Sequence, residues 1–327
     1  MNPLTQKVEI SARTIIFTVV FLIFLRILWL NRELIYALFL AFIFMSALRP
    51  PVNFLSKKRI PRPLSILIVF AIFFSAISLI LSIVIPPLVA ETFAFFKNIP
   101  QLAEKNFPAL SGYFDSSAFK DNIPNIGGNI VEVIKAIFSN FIFLISVFFF
   151  TFFFLLDENL IKNLLAKFFP EDQADSIMAT IQKIQERMGS WVWAEIILMV
   201  TIGSLTYIGL TLLGVKYALP LAIIAGLLEV LPMIGPIISA IPAFFVAVST
   251  SWFSGFSVIA LYFIIQQLEN NVVVPGVMKR TVGINPLLTL IALTIGGKLG
   301  GLMGAFLSVP VALLIEIVVG QMLKDKK

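Results

Sequence analysis

Eight long stretches of almost uninterrupted apolar residues dominate this sequence and restrict what it can fold into. A membrane-spanning helix needs about 20 such residues to cross about 30 Å of hydrocarbon, and most of these stretches meet or approach that length. They are 14–30, 34–48, 64–90, 136–156, 194–213, 219–248, 256–274 and 286–323. The second is short, and the sixth and eighth are too long for one simple crossing. The sequence predicts an all-α, polytopic helical membrane protein of about eight hydrophobic segments.

Composition excludes several classes of protein. Apolar residues make up 59% of the chain and charged residues 13%, against roughly half and a quarter in a soluble domain. The absence of Cys and His removes thiolate nucleophiles, imidazole bases and zinc sites built on those ligands. Ser239 and Ser308 have no evident base partner, so we predict no enzyme, no cofactor and no metal site. The net charge is +6, and the Lys and Arg residues that produce it lie at the ends of the apolar segments. This distribution indicates membrane topology rather than nucleic-acid binding.

Basic residues set the predicted orientation. The loop 49–63 carries five basic residues and no acidic one, so we place it in the cytoplasm together with both chain termini. The predicted units are membrane helices 1–3 at 1–90, an external amphipathic loop at 91–135, membrane helix 4 at 136–156, a cytoplasmic helical hairpin at 157–193 and a C-terminal transport core at 194–327. Helical extensions are expected at 91–96 and 130–138.

The sixth stretch contains a cluster of helix-breaking residues. Pro232 and Pro236 remove backbone donors and clash with the preceding turn, and Gly235 permits a reversal of the chain. A broken backbone is tolerated at membrane depth only where protein or a water-filled cavity satisfies its freed amides and carbonyls. We therefore predict a broken or re-entrant helical hairpin around 231–236. Whether the stretch re-enters or crosses fully stays open.

The eighth stretch repeats this plan 66 residues further along. Four glycines surround Lys298 in its middle, among them Gly297 and Gly300. Paired interrupted segments at corresponding positions are the best sequence pointer to a transporter binding site. We predict a second break around 296–301 and assign the residues of both breaks to a substrate or ion pathway. The alternative is that Gly and Pro only loosen tightly packed membrane helices.

Ionisable side chains inside apolar stretches cost about 2.5 to 3.5 kcal/mol each on translocon scales, so they should face a cavity or each other. Glu229 stands three residues before Pro232 and suits a cation, a proton or exposed half-helix amides. On the seventh stretch, Gln266, Glu269 and Asn270 share one helical face. We predict that this face and Glu229 line a hydrophilic pathway. The alternatives are a helix end at the interface and a purely structural Glu229.

Three motifs resemble the autoinducer-2 exporter family of bacterial membrane proteins. They are LEVLPMIGPIISAIPA at 228–243, QQLENNVVVPGVMKRTVGINPL at 266–287 and GGKLGGLMGAFLSVPVA at 296–312. The resemblance implies an inner-membrane protein that exports small molecules or exchanges sodium or lithium for protons. It also implies homo-oligomers and a mobile transport unit with re-entrant hairpins. Members often carry Gly-Gln where this chain has Ala194 and Glu195.

These observations favour a secondary transporter in the cell (inner) membrane that exports a small molecule or exchanges a monovalent cation. No GxxxxGKS or GxxxxGKT phosphate loop occurs, so coupling to a proton or sodium gradient is more natural than ATP-driven pumping. The expected partners are the lipid bilayer, the substrate and further copies of the chain. Two rivals stay open: an ion channel or passive pore, and a non-transporting scaffold that recruits a cytoplasmic partner. Glu195 and Glu316 are interpreted as interfacial.

Overall fold

The computed structural model describes residues 12–106, 141–157, 159–231, 234–278 and 286–324. Every regular element in these ranges is helical. The helices are α1 (Ala12–Leu30), α2 (Arg32–Lys57), α3 (Arg62–Asn106), α4 (Phe141–Leu156), α5 (Leu160–Phe168), α6 (Glu171–Leu212), α7 (Ala218–Leu228), α8 (Ile234–Val248), α9 (Trp252–Leu268), a π-helical segment (Glu269–Val273), α10 (Val274–Met278) and α11 (Pro286–Lys324).

Five helices are long and apolar enough to cross a membrane. They are Arg32–Lys57, Arg62–Pro87, Glu171–Leu212, Trp252–Val277 and Met303–Gln321. Helices α4 and α5 add a sixth span if the pair, bent by 80°, is counted as one. The structure thus confirms a polytopic, all-helical membrane protein, and the predicted count of eight segments is approximate.

Helix α2 differs from the prediction of a short second segment followed by a loop from Arg49. It continues through Pro50 and Pro51 to Lys57, so the loop prediction was wrong over most of its length. A proline inside a helix leaves the carbonyl four residues earlier without its usual donor, which normally breaks the helix. Here α6 compensates, because the indole Nε1 of Trp193 donates to the Ala47 carbonyl at 3.1 Å.

The long helix α3 includes the predicted helical extension at 91–96. The remainder of the predicted external loop, 107–135, and the extension at 130–138 lie outside the described residues. Within 157–193, the short α5 leads into α6, which continues without a break through the fifth apolar stretch to Leu212. The Nη1 atom of Arg49 donates to Gln185 Oε1 at 2.8 Å, and Arg62 Nε donates to the Leu155 carbonyl at 2.6 Å. The first bond joins α2 to α6 and the second joins the start of α3 to the end of α4, so these helix segments lie on one side of the molecule.

The sixth apolar stretch forms a helical hairpin, as predicted. At about 1.5 Å per residue, α7 and α8 measure roughly 17 and 23 Å, which is too short to cross about 30 Å of hydrocarbon. The chain turns between Leu228 and Ile234. Gly235 packs so closely on the Leu228 carbonyl that a side chain would not fit. Pro236 lies in the first turn of α8, where a backbone N–H has no helical partner in any case.

The eighth stretch is a second hairpin, and its turn is concentrated at one residue. Gly301 has φ 60° and ψ −141°, a combination that is essentially restricted to glycine. The first arm, 286–300, therefore folds back on the second arm, 302–324. The two arms touch through the backbones of Gly296 and Gly304. The predicted break at 296–301 is confirmed in place.

The two hairpins contact each other and the surrounding spans. Leu231 at the tip of the α7–α8 hairpin packs against Leu293 and Ala305, one on each arm of α11. A separate apolar core joins α7, α8 and α9 to the end of α6, around Leu210 and Val258. The two hairpins are thus packed on each other, and the α7–α8 hairpin is also packed on the longer helices α6 and α9.

Candidate functional site

Three buried carboxyls meet where α6, the tip of the α7–α8 hairpin and the π-helical segment come together. Glu195, Glu229 and Glu269 are 4%, 1% and 3% exposed. The side chains of Glu229 and Glu269 interact directly, and Glu195 lies within electrostatic reach of Glu269. Burying three acids together is unfavourable unless positive charge or protons compensate them. We call these three residues the carboxyl cluster.

Each member has a local reason for its position. Glu195 belongs to a buried stripe of α6 at helical spacing that also contains Met188, Leu198 and Ile202. Glu229 caps the C-terminal end of α7, where the hairpin turns. Glu269 is the first residue of the π-helical segment, and π segments inside α-helices occur frequently at functional sites. The cluster therefore depends on a helix end and on a helix irregularity.

The predicted polar face of the seventh stretch is divided by the structure. Gln266 is half-buried and donates from Nε2 to Glu269 Oε2 at 3.0 Å, which fixes that carboxyl. Asn270 is exposed and lies outside the cluster. Asn271 is also exposed, and its Nδ2 donates to the Gln267 carbonyl at 2.7 Å. Gln266 and Glu269 are thus brought to the site, whereas the two asparagines are not.

A small cavity adjoins the cluster. The volume that the centre of a water molecule can occupy in it is about 10 Å³. That is close to the space that one water or one small ion requires. Its wall is mixed, with apolar residues between hydroxyl and carboxyl groups, and comprises Ile202, Thr206, Ala225, Pro236, Ser239, Tyr262, Ile265, Gln266 and Glu269. The hydroxyl of Ser239 donates to the Pro236 carbonyl at 3.1 Å.

Unpartnered polar atoms concentrate around this cavity. Within the described part of the chain, five buried side-chain oxygens or nitrogens lack a hydrogen-bond partner. Four of them belong to the cluster or to the cavity wall, namely Glu195 Oε1, Thr206 Oγ1, Glu229 Oε2 and Tyr262 Oη, the last of which lies beside the hydroxyl of Ser239. An unmade hydrogen bond at a buried polar group costs about 1–3 kcal/mol. Such a concentration of oxygen acceptors suits a bound proton, water or small cation.

The three carboxyls of the cluster are not equally close to one another. Across the described ranges, no three His, Cys, Asp or Glu side chains converge closely enough to hold a metal ion together. The carboxyl cluster therefore presents a directly interacting pair, Glu229 and Glu269, with Glu195 to one side. A pair of facing carboxyls can share a proton, or bind a single monovalent cation with help from neighbouring oxygens.

A larger cavity of about 1220 Å³ opens between α2, α6 and α10, and we call it the polar vestibule. Its polar lining includes Arg49, Asn53, Lys57, Gln182, Ser190 and Trp193. Along α6 it extends to Ala194 and Ile197, on either side of Glu195 in sequence. It is distinct from the small cavity at the carboxyl cluster.

The predicted site residues of the second break are arranged differently. Lys298 is exposed, and neither ion pair seen among the described residues includes it. Gly300 lies beside the hydroxyl of Tyr36, and Gly297 has open space around it. None of these three is brought to the carboxyl cluster in this conformation. Pro232, at the first break, lies outside the described residues.

Sequence reasoning missed several residues of this site. It interpreted Glu195 as interfacial, and it did not select Thr206, Ser239 or Tyr262. The spacing did contain a signal for Glu195, because Met188, Leu198 and Ile202 occupy the same helical stripe and are apolar. A hydroxyl residue within an apolar helix gives no comparable signal.

The chain is similar in sequence to known transport proteins. The sequence pattern of the AI-2E family transporter matches residues 15–324. YrrI of Bacillus subtilis (strain 168), named as a transport protein, is 26% identical over 306 residues, which is 88% of this chain and 87% of that protein. PerM of Escherichia coli (strain K12), named as a permease, is 24% identical over 276 residues and 77% of each chain. The AI-2 transport protein TqsA of the same strain is 25% identical over 307 residues, covering 88% and 86%.

Proposed function

The chain belongs to the AI-2E transporter family, and from that premise we propose that it is a secondary transporter driven by a proton or sodium gradient. The observation that carries the proposal is the pairing of the Glu229 and Glu269 carboxyls at the tip of the short α7–α8 hairpin. Two buried carboxyls need a compensating positive charge. A proton or a monovalent cation taken from one side of the membrane supplies it.

Helix ends strengthen the attraction for a cation. The C-terminal end of a helix carries about −0.5 of an elementary charge, and α7 ends at Leu228, next to Glu229. The unpartnered Oε2 of Glu229 and the hydroxyl oxygens of Thr206 and Tyr262 supply further acceptors nearby. Broken helices whose ends coordinate coupling ions are the usual construction of such sites in transporters.

The closed state of the cluster favours a carrier over an open pore. All three carboxyls are at most 4% exposed, and their cavity is separate from the polar vestibule. An ion therefore reaches the cluster only if an element moves. The two hairpins contact each other through a small apolar cluster around Leu231, whereas the α7–α8 hairpin is packed on α6 and α9, so the second hairpin is the element suited to move. Such movement would expose the site to one side at a time.

The test is coupled flux in proteoliposomes that contain the purified protein and a trapped pH dye. Na⁺, Li⁺ or the furanone autoinducer-2, which the name of TqsA suggests, is added to one side under an imposed pH gradient. We expect saturable movement of protons that depends on one of these solutes. Glu229→Gln and Glu269→Gln should reduce it to the level of protein-free liposomes.

Glu171→Gln is the matched control, because Glu171 is an exposed glutamate in the first turn of α6. It should transport like the wild type. Flux that rises linearly with concentration and ignores the gradient would support a passive pore instead. Full activity in both Gln variants would remove the carboxyl pair from the mechanism.

A further inference from the structure

Glu195 is a buried carboxyl for which the proposed coupling pair leaves no role. Its side chain is 4% exposed, and its Oε1 atom has no hydrogen-bond partner. The desolvation penalty of an unsatisfied buried polar group is about 1–3 kcal/mol and larger for a charged one. An acid in this position is thus stable only with a proton or with a transient partner.

On α6, Glu195 lies between the polar vestibule and the small cavity at the carboxyl cluster. The residues Ser190, Ala194 and Ile197 share one face of the helix, and that face lines the polar vestibule. Glu195 is one position further round the same turn, on the stripe that leads through Leu198 to Ile202 at the small cavity. The carboxyl of Glu195 therefore stands where the wall of the vestibule adjoins the carboxyl cluster.

The charges around Glu195 are arranged for proton exchange rather than for a fixed ion pair. Within the described residues, the titratable groups that act on it are the acids Glu269, from the π-helical segment, and Glu229, from the hairpin. On the wall of the vestibule, Arg49 of α2 donates to Gln185 at 2.8 Å. An acid that interacts electrostatically with two other acids does not serve as an anchor for a cationic side chain.

We propose that Glu195 is a proton relay between the polar vestibule and the Glu229–Glu269 pair, which rests on the proposed function. In the step that loads the pair, the O–H bond of protonated Glu195 breaks and a new O–H bond forms on the Glu269 carboxylate. The Glu195 carboxylate then takes a proton from hydronium in the vestibule and leaves a water molecule behind. Glu195 returns to its starting state, so atoms and charge balance. Chains of acids that pass protons in this way are a known use of ionisable groups inside membranes.

If Glu195 is a relay, its loss should affect proton movement but not Na⁺ exchange. If its role is only structural, its loss should affect both activities. Exchange of Na⁺ for Na⁺ uses the Glu229–Glu269 pair and moves no net proton, whereas exchange of Na⁺ for protons needs the relay. The experiment uses full-length protein in proteoliposomes. It measures ²²Na⁺ exchange at equal Na⁺ and equal pH on both sides, and separately measures Na⁺-driven proton movement with a trapped pH dye.

For Glu195→Gln, we expect ²²Na⁺ exchange within about twofold of the wild type and a loss of proton movement of at least about tenfold, since positioned acid–base groups contribute such factors. Glu195→Asp should restore part of the proton movement because it keeps a carboxyl, and it also guards against a folding defect. Glu229→Gln should lose both activities.

Each other outcome overturns the relay. Proton movement in Glu195→Gln that equals the wild type removes Glu195 from the proton path. An equal loss of both activities makes Glu195 part of the cation-binding site instead. If the wild type moves no protons with Na⁺, Li⁺ or autoinducer-2 on either side, the proposed function fails first and the relay fails with it. That result is distinct from the two before, in which the wild type is active.

Discussion

The backbones of Gly296 and Gly304 lie directly against each other. In an uninterrupted helix, residues eight positions apart would be about 12 Å apart along the axis. Contact is possible because the chain folds back at Gly301, where φ is 60°. The absence of a side chain at Gly296 and Gly304 is therefore what permits the two arms of α11 to pack.

We predict that Gly304→Val opens or distorts this hairpin. The added side chain would overlap the Gly296 carbonyl, a backbone atom that cannot rotate away. Overpacking of this kind costs about 1–3 kcal/mol, occasionally more. The variant should unfold at a lower temperature in detergent than the wild type. Gly320→Val is the matched control, because Gly320 has no neighbouring atom within 4 Å of an added side chain; an equal loss there would refute the packing argument.

Trp193 is predicted to stabilise α2 by compensating for Pro51. Trp193→Phe removes the 3.1 Å bond to the Ala47 carbonyl and should destabilise the protein by about 0.5–1.5 kcal/mol. Pro51→Ala supplies a backbone N–H that can reach the same carbonyl. In that background, Trp193→Phe should therefore cost less. Thermal unfolding of the four proteins in this double-mutant cycle measures the difference, and strict additivity would contradict the explanation.

Replacing one carboxyl of the Glu229–Glu269 pair by an amide should remove coupled transport without lowering the unfolding temperature. Glu229→Gln eliminates one of two facing buried carboxyls and keeps the shape of the side chain. We expect an unfolding temperature at least equal to that of the wild type, since functional sites commonly reduce stability. Fluorescence-monitored heating in detergent would check this, with Glu171→Gln alongside. A clear loss of stability would show that Glu229 mainly accepts hydrogen bonds from the hairpin backbone.

The orientation of the chain can be tested because the sequence has no cysteine. Asn163 on α5 is exposed and lies on the same side as the basic end of α2. By the positive-inside rule, Asn163→Cys should react with a membrane-impermeant maleimide only when the cytoplasmic face is accessible. Ser111→Cys, in the loop predicted to be external, should show the opposite pattern in intact cells. Labelling of both from the same side would refute the topology.

Much of the architecture followed from local features of the sequence. Apolar length alone identified most of the membrane helices, because the thickness of hydrocarbon sets how many apolar residues a span requires. The break at 296–301 followed from the chemistry of its glycines, and the break at 231–236 from that of its prolines and Gly235. Apolar length, glycine and proline affect the backbone within a few residues of where they occur, so these features could be predicted without knowledge of the fold.

Only the tertiary structure decided how distant residues meet. The loop expected from Arg49 became helix because α6, more than 100 residues later, supplies Trp193 to a freed carbonyl. The sequence predicted that Glu195 is interfacial. The packing of α6 instead places it beside Glu229 and Glu269. Whether a polar side chain in an apolar helix faces lipid, interface or another acid depends on which helices pack against it, and that is a property of the whole fold rather than of any local pattern.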